Sequence, residues 1–120
     1  MSRATIFEEV SAERDRQDDR WGEQNHPMVG QAARRGFVVP QVEASRLLLP
    51  SAGSAREFCD HEHRIGCGTY TSIAVEEIAE FVEACVLHGE TSDEARKELV
   101  QATAVLVAML ETIDRRRSAR

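Results

Sequence analysis

The hydrophobic residues in the second half of the chain recur at the spacing of an α-helix. From about residue 71 to residue 88, every third or fourth residue is apolar, which gives the helix one face to pack against a core. The residues of this face are Ala74, Ile78, Phe81 and Cys85. Gly89 is expected to end the helix, because glycine adopts the backbone conformations that close a helix at little steric cost.

A second and longer helix is predicted from a capping box formed by Thr91 and Glu94 to about residue 116. Its apolar residues again follow each other in steps of three and four, and they are Leu99, Ala102, Leu106, Met109 and Ile113. Four more apolar residues make this helix hydrophobic on almost every side: Val100, Val105, Val107 and Leu110. Because one short chain has few elements to cover such a helix, the pattern indicates that the chain oligomerises.

The N-terminal segment, from about residue 3 to residue 19, also reads as a helix, with Thr5 and Glu8 spaced as a capping box. Five of its residues share one face and are predicted to point inward: Phe7, Val10, Arg14, Gln17 and Trp21. Two of the five are long and polar, so this face is expected to meet a polar partner.

Residues 22–53 are interrupted by glycines and prolines and predict a long loop, in which the sequence VEASRLLL forms one or two helical turns. A short helix capped by Ser54 follows and ends near residue 64. The chain is therefore expected to be a single all-α domain spanning residues 1–120. Its predicted architecture is a helical bundle with a central antiparallel helix hairpin, completed by oligomerisation.

Composition and charge narrow the functional classes. The formal net charge of −6 is unfavourable for binding nucleic acid, which needs a basic surface. No apolar run is long enough to span a membrane, and acids stand where a secretory signal would be apolar, so the protein is expected in the cytoplasm. The three cysteines are expected to be reduced.

Four oxygen-bearing side chains can converge on the two predicted helices of the hairpin. They are Glu77 and Glu80 on the first helix, where Glu76 adjoins them, and Glu98 and Gln101 on the second. In an antiparallel helix pair, residues at one level have numbers that add to a constant. The pairs 77 with 101 and 80 with 98 both add to 178, which centres the turn on residue 89.

Carboxylates held this close repel each other unless a cation lies between them, and a few hard oxygen ligands are what magnesium prefers. The competing interpretation is that these glutamates form the solvated face of an acidic helix. Gln101 favours the metal site, because its surroundings in LVQATAVLVAML are apolar. An unpartnered buried amide there would cost about 1–3 kcal/mol.

The sequence EEIAE followed by ELVQ resembles the paired acidic motifs of the MazG-like, all-α nucleoside triphosphate pyrophosphatases. The N-terminal sequence ERDRQDDRWGEQNHP is similar to the opening of a phage and actinobacterial branch of this superfamily. The resemblance covers the first 27 residues and most of 54–114. Gln101 takes the place of an aspartate, a departure that removes one negative charge and that this branch often shares.

The resemblance implies that magnesium, or alternatively manganese, is held by Glu77, Glu80, Glu98 and Gln101. It also implies hydrolysis of (deoxy)nucleoside triphosphates to a monophosphate and pyrophosphate, in a homodimer or a dimer of dimers. Glu76 or Glu77 would be the catalytic base. The candidates for substrate binding are Arg14, Gln17, Arg20, Trp21 and Lys97, with core packing as the alternative role of Trp21.

Two other interpretations stay open. Cys59, His61, His63 and Cys67 carry zinc-binding groups within nine residues, although their spacing is not that of a known zinc module and ordinary helix residues are favoured. The alternative to an enzyme is a catalytically inactive helical protein that binds a nucleotide or another protein. The neutral side chain of Gln101 favours that alternative.

Overall fold

The computed structural model describes residues 2–119, and within that range it contains six α-helices and no strand. The expected all-α fold is confirmed. The helices are α1 (Arg3–Trp21), α2 (Gln31–Arg34), α3 (Pro40–Arg46), α4 (Ala52–Arg64), α5 (Tyr70–His88) and α6 (Asp93–Ser118). Gly89 follows α5 with a φ of 102°, so it closes this helix as predicted, in a conformation that favours glycine. None of these helices is long and apolar enough to cross a membrane.

The chain divides into two compact units. One contains the chain up to His26 together with the chain from Leu106 onward, and the other runs from Pro27 to Val105. The predicted long loop is not featureless, because α2 and α3 lie within it and α4 begins at Ala52. The expectation of helical turns in VEASRLLL is confirmed for its first part, since α3 ends at Arg46.

Three helices are capped by a different residue from the one predicted. Ser2 caps α1, because its Oγ accepts the N–H of Thr5, which was the predicted cap. Ser51 caps α4 in the same way and accepts the N–H of Ser54. In both cases the predicted cap is the third residue of the helix and supplies the N–H that the observed cap accepts.

The third difference is at α6. Ser92, and not Thr91, is the residue before this helix, and its Oγ accepts the backbone N–H of Ala95 at 3.1 Å. Ala95 is fully buried, so this bond also fixes the first turn of α6 against the core.

The core of the unit from Pro27 to Val105 is built around α5, which packs against α3 and α4. Its main cluster consists of small and medium apolar side chains: Val29, Ala33, Val82, Ala84, Cys85 and Ala95. A second cluster joins α4 to α5 through Ala52, Ala55 and Ala79. Alanine lets two helix backbones approach closely, so polar residues beside this contact on α4 come within reach of the glutamates on α5.

A buried carboxylate connects α3 to the segment before α2. The Glu43 side chain is 2% exposed, and its oxygens accept hydrogen bonds from Arg46 at 2.6 and 3.1 Å and from the N–H of Gly30 at 2.5 Å. The Arg46 guanidinium, which bonds to the carboxylate, holds the pKa of Glu43 below its ordinary value. A Cβ at Gly30 would lie 2.8 Å from the Arg46 guanidinium, so the close approach favours glycine.

In the other unit, the predicted inward face of α1 is not buried. Ile6 is the buried residue of α1, whereas Phe7, Val10 and Trp21 are each about half exposed. Among the residues from Leu106 onward, Val107 and Thr112 are buried. Spacings of three and four correctly select residues that share one face of α1. The chain itself, however, does not cover this face.

Candidate metal centre

Three glutamates converge between α5 and α6. One carboxylate oxygen from each of Glu77, Glu80 and Glu98 lies within 4.8 Å of the others. Among the described residues, this is the group of acidic, histidine or cysteine side chains arranged closely enough to hold a metal ion. The convergence of Glu80 with Glu98 agrees with the hairpin register predicted from the sequence.

Glu98 reaches this position because it belongs to the covered side of α6. Ala95 and Ala102 are buried, Val105 is partly buried, and Glu98 continues their spacing of three and four residues. Its neighbours along this row of α6 are apolar, while Glu77 and Glu80 face it from α5. Its helix therefore turns it toward α5 and away from solvent.

Two oxygens of the cluster lack a partner. Oε2 of Glu77 and Oε2 of Glu98 are buried and accept no hydrogen bond from any described residue. Desolvation is the main cause that raises the pKa of Glu77, with repulsion from Glu80, Glu98 and Glu76 adding to it. The pKa of Glu98 is raised first by desolvation and then by Glu80, although Lys97 opposes this change. The cluster therefore carries negative charge that the chain leaves partly unneutralised.

Arg56 on α4 contacts the outer side of the cluster. Its Nη2 donates to Oε1 of Glu80 at 3.1 Å, and its Nε lies 4.0 Å from Oε1 of Glu76. No local sequence pattern points to Arg56, because 24 positions separate it from Glu80. The alanines at the contact, Ala52, Ala55 and Ala79, permit the close packing of α4 and α5, but they do not identify the two helices as neighbours.

A pocket of about 280 Å³ lies beside Arg56, Glu80 and Glu98. Its remaining lining residues come from the end of α5 and the start of α6 and are Glu83, Ala84, Leu87, His88 and Glu94. Half of the eight lining residues are glutamates, so an anion entering this pocket would need a cation to accompany it.

Gln101 does not occupy the buried position that the sequence suggested. Its side chain is exposed and borders a shallow depression with Asp93, Arg96, Lys97 and Val100. The buried-amide argument for the metal site is therefore wrong, since water solvates this amide. Lys97, a candidate for substrate binding, is exposed on the same side of α6.

The other substrate-binding candidates lie on α1. Arg14 donates to Oε1 of Gln17 at 2.6 Å and to Oδ1 of Asp18 at 3.0 Å, so these polar side chains are partners of each other. The Arg20 guanidinium stacks 4.8 Å from the centre of the Trp21 ring. Trp21 is 55% exposed, which contradicts core packing within the chain as its role.

The cysteines and histidines of α4 do not form a metal centre among the described residues. Cys59 is buried, and its backbone carbonyl oxygen is 2.8 Å from Nδ1 of His63, which donates to it. Burial is the main cause that raises the pKa of the Cys59 thiol, and burial raises that of Cys85 to about 11. Cys67 is exposed, and all three cysteines are unpaired.

Comparisons with protein-family models, with curated proteins and with solved structures give no match to this chain.

Proposed function

We propose that the chain is a magnesium-dependent nucleoside triphosphate pyrophosphohydrolase, which releases a nucleoside monophosphate and pyrophosphate. The observation that carries the proposal is the convergence of Glu77, Glu80 and Glu98 within 4.8 Å, with two buried oxygens left without a hydrogen-bond donor. Buried polar atoms usually have a partner, and a cation between the three carboxylates would supply one. The resemblance to MazG-like proteins supplies the reaction.

The donor set suits a hard divalent ion. Magnesium binds few protein carboxylates and keeps positions for water and substrate phosphates, and manganese accepts the same ligands. Glu77, Glu80 and Glu98 would hold the ion, and Gln101 would contribute through its amide oxygen. A bound magnesium ion supplies charge neutralisation of the phosphates and a lowered pKa for a water molecule.

The chain's own residues have separate roles in this proposal. Glu76 or Glu77 would accept the proton of the attacking water, and the raised pKa of Glu77 suits a general base. Lys97 would contact phosphate. Arg14, Gln17, Arg20 and Trp21 would contact the nucleotide, with Trp21 stacking on the base and Gln17 reading its edge.

Arg56 favours a second candidate function. Its ion pairs with Glu80 and Glu76 are those of a structural network, which perturbs carboxylates without any metal. On this alternative, the chain is a catalytically inactive helical protein that binds a nucleotide or a partner. Gln101 supports it too, because a neutral side chain replaces an acid in the motif.

The two functions differ in one measurement. We expect the full-length protein to release pyrophosphate from a panel of nucleoside triphosphates when magnesium is present, and to lose this activity with EDTA. Magnesium should also raise the melting temperature, because an ion that binds only the folded state stabilises it. Nucleotide binding without pyrophosphate release would instead support the inactive protein.

We also propose that the protein is a homodimer or a dimer of dimers. In the unit that contains α1, Leu106, Leu110 and Ile113 follow each other at steps of four and three and are 40–50% exposed. Apolar rows of this kind are normally covered, and a second copy of the chain offers the same row in return. Sedimentation equilibrium at micromolar concentration should give at least twice the mass of 13.4 kDa.

A further inference from the structure

The ion pair between Arg56 and Glu80 uses the same carboxylate that the proposed metal centre needs. The Arg56 Nη2 is 3.1 Å from Oε1 of Glu80, and Oε1 of Glu80 is therefore occupied on the side that faces α4. A guanidinium and a divalent cation cannot both neutralise this oxygen at close range without repelling each other.

Arg56 neutralises the cluster only in part. It reaches Glu80 and approaches Glu76, but it does not donate to the buried oxygens of Glu77 and Glu98. A cation between the three carboxylates would reach all of them. Replacing Arg56 by a cation would therefore give a partner to the two oxygens that the arginine does not reach.

Arg56 is also free to move away. Its side chain is 52% exposed and borders the pocket of about 280 Å³ beside Glu80 and Glu98. Exposed ion pairs contribute little to stability, so breaking this one costs little. Among the residues that line the pocket, Arg56 carries the one guanidinium, and a guanidinium binds phosphate through two parallel hydrogen bonds.

We propose that Arg56 is a displaceable counter-ion of the carboxylate cluster, which a divalent cation replaces at Glu80 and which then binds a phosphate group in the adjacent pocket. This inference rests on the proposed function and adds an order of events to it. The metal-free protein holds Arg56 on Glu80, and the metal-loaded protein presents the same guanidinium to the polyphosphate. Arg56 is thus a positioning residue before metal binding and a substrate-binding residue after it.

The test uses two probes, magnesium alone and inorganic pyrophosphate with saturating magnesium. In Arg56→Gln, we expect magnesium alone to bind about three- to tenfold more tightly, because its competitor is gone. Pyrophosphate should bind the magnesium-loaded variant at least about tenfold more weakly, because a charged hydrogen-bond donor is lost. A purely structural ion pair would not give these two effects of opposite sign.

Two further variants serve as controls in isothermal titration. Arg16→Gln removes another exposed arginine that pairs with a glutamate, Glu13 at 2.7 Å, and should change neither affinity. Arg56→Lys keeps the charge without the planar guanidinium. It should restore the weaker magnesium binding of the natural protein but only part of its pyrophosphate binding.

The outcomes separate this inference from the proposed function. If the natural protein binds magnesium and Arg56→Gln binds it equally well or more weakly, the displacement is wrong and the metal centre remains. If neither protein binds magnesium, both proposals are wrong. If Arg56→Gln fails to fold, NMR of the arginine Nε–H groups in the natural protein tests the displacement instead. Magnesium must shift the Arg56 resonance, and an unchanged resonance with bound magnesium overturns the displacement.

Discussion

Glu77 and Glu98 lie on consecutive helices, and each buries a carboxylate oxygen that no described donor reaches. Both carboxylates also face Glu80, so their charges oppose folding in the absence of a metal. We therefore expect Glu77→Gln to raise the free energy of unfolding at neutral pH by about 0.5–1 kcal/mol. Urea unfolding in EDTA measures this change.

Glu80→Gln is the matched comparison for that variant. Glu80 belongs to the same cluster, but it accepts a hydrogen bond from Arg56 at 3.1 Å, and the substitution weakens this contact. The weakened contact offsets part of its gain from reduced repulsion, so Glu80→Gln should be stabilised less than Glu77→Gln. Both variants should lose the stabilisation by magnesium. Equal stabilisation of the two variants in EDTA would contradict the role assigned to Arg56.

The raised pKa values of Glu77 and Glu98 predict a characteristic pH dependence. A carboxyl group whose pKa is higher in the folded state stabilises the fold when it is protonated. This contribution is complete below the ordinary value of 4.5 and is lost as the pH rises through the folded-state pKa. Metal-free protein should therefore become more stable as the pH falls from neutral toward about 4.5.

Glu43 acts in the opposite direction at lower pH. Its pKa is lowered, chiefly by Arg46, so its contribution is present above 4.5 and is lost as the pH falls through the folded-state pKa. Urea midpoints measured from acidic to neutral pH should thus pass through a maximum. Between this maximum and neutral pH, the urea midpoint of Glu77→Gln should fall less than that of the natural protein. Curves of the same shape for both proteins would contradict the raised pKa of Glu77.

The buried carboxylate of Glu43 should be important for stability. Glu43→Gln weakens its hydrogen bonds with Arg46 and Gly30 inside the protein, and we expect a loss of about 1–3 kcal/mol. Glu13→Gln is a matched control, because Glu13 also pairs with an arginine three residues away but is exposed. The control should change stability by less than about 0.5 kcal/mol. Similar losses in both variants would show that Glu43 has no special role.

Gln101 tests how many ligands the metal centre has. If its amide oxygen is a ligand, Gln101→Asp should tighten magnesium binding about three- to tenfold, because a charged oxygen replaces a neutral one. Gln101→Ala should weaken it. Isothermal titration gives both affinities. Unchanged binding in the two variants would mean that Glu77, Glu80 and Glu98 are the protein ligands and that Gln101 is not one.

Trp21 is expected to act on the nucleotide and not on the fold. Because its side chain is 55% exposed, Trp21→Ala should change the free energy of unfolding by less than about 0.5 kcal/mol. The KM for nucleotide should rise while kcat changes little. Phe37→Ala removes another exposed aromatic ring and should leave both constants unchanged. A large drop in melting temperature for Trp21→Ala alone would mean that the ring is covered in the oligomer.

The sequence predicts the hairpin well, because the turn at Gly89 fixes which residues of the two helices are level. The pairing of Glu80 with Glu98 follows from that register. The capping residues are harder to predict, because Ser51 and Ser54 are both good caps and lie three residues apart. Which hydroxyl accepts the N–H depends on the path of the preceding chain.

Contacts between distant segments could not be predicted. Arg56 reaches Glu80 because alanines bring α4 close to α5, and helical periodicity carries no information about which helices are neighbours. The same limit applies to α1, where the pattern gathers Phe7, Val10 and Trp21 on one face. Periodicity defines such a face, but what covers it depends on the rest of the assembly.

The unequal environments of the three cysteines make the chain convenient for site-selective labelling. Cys59 and Cys85 are buried with raised pKa values, so few of their thiols are in the reactive thiolate form at neutral pH. Cys67 is exposed between α4 and α5. A maleimide dye should therefore attach to the natural protein at this one position, next to the two helices that carry Arg56 and Glu80.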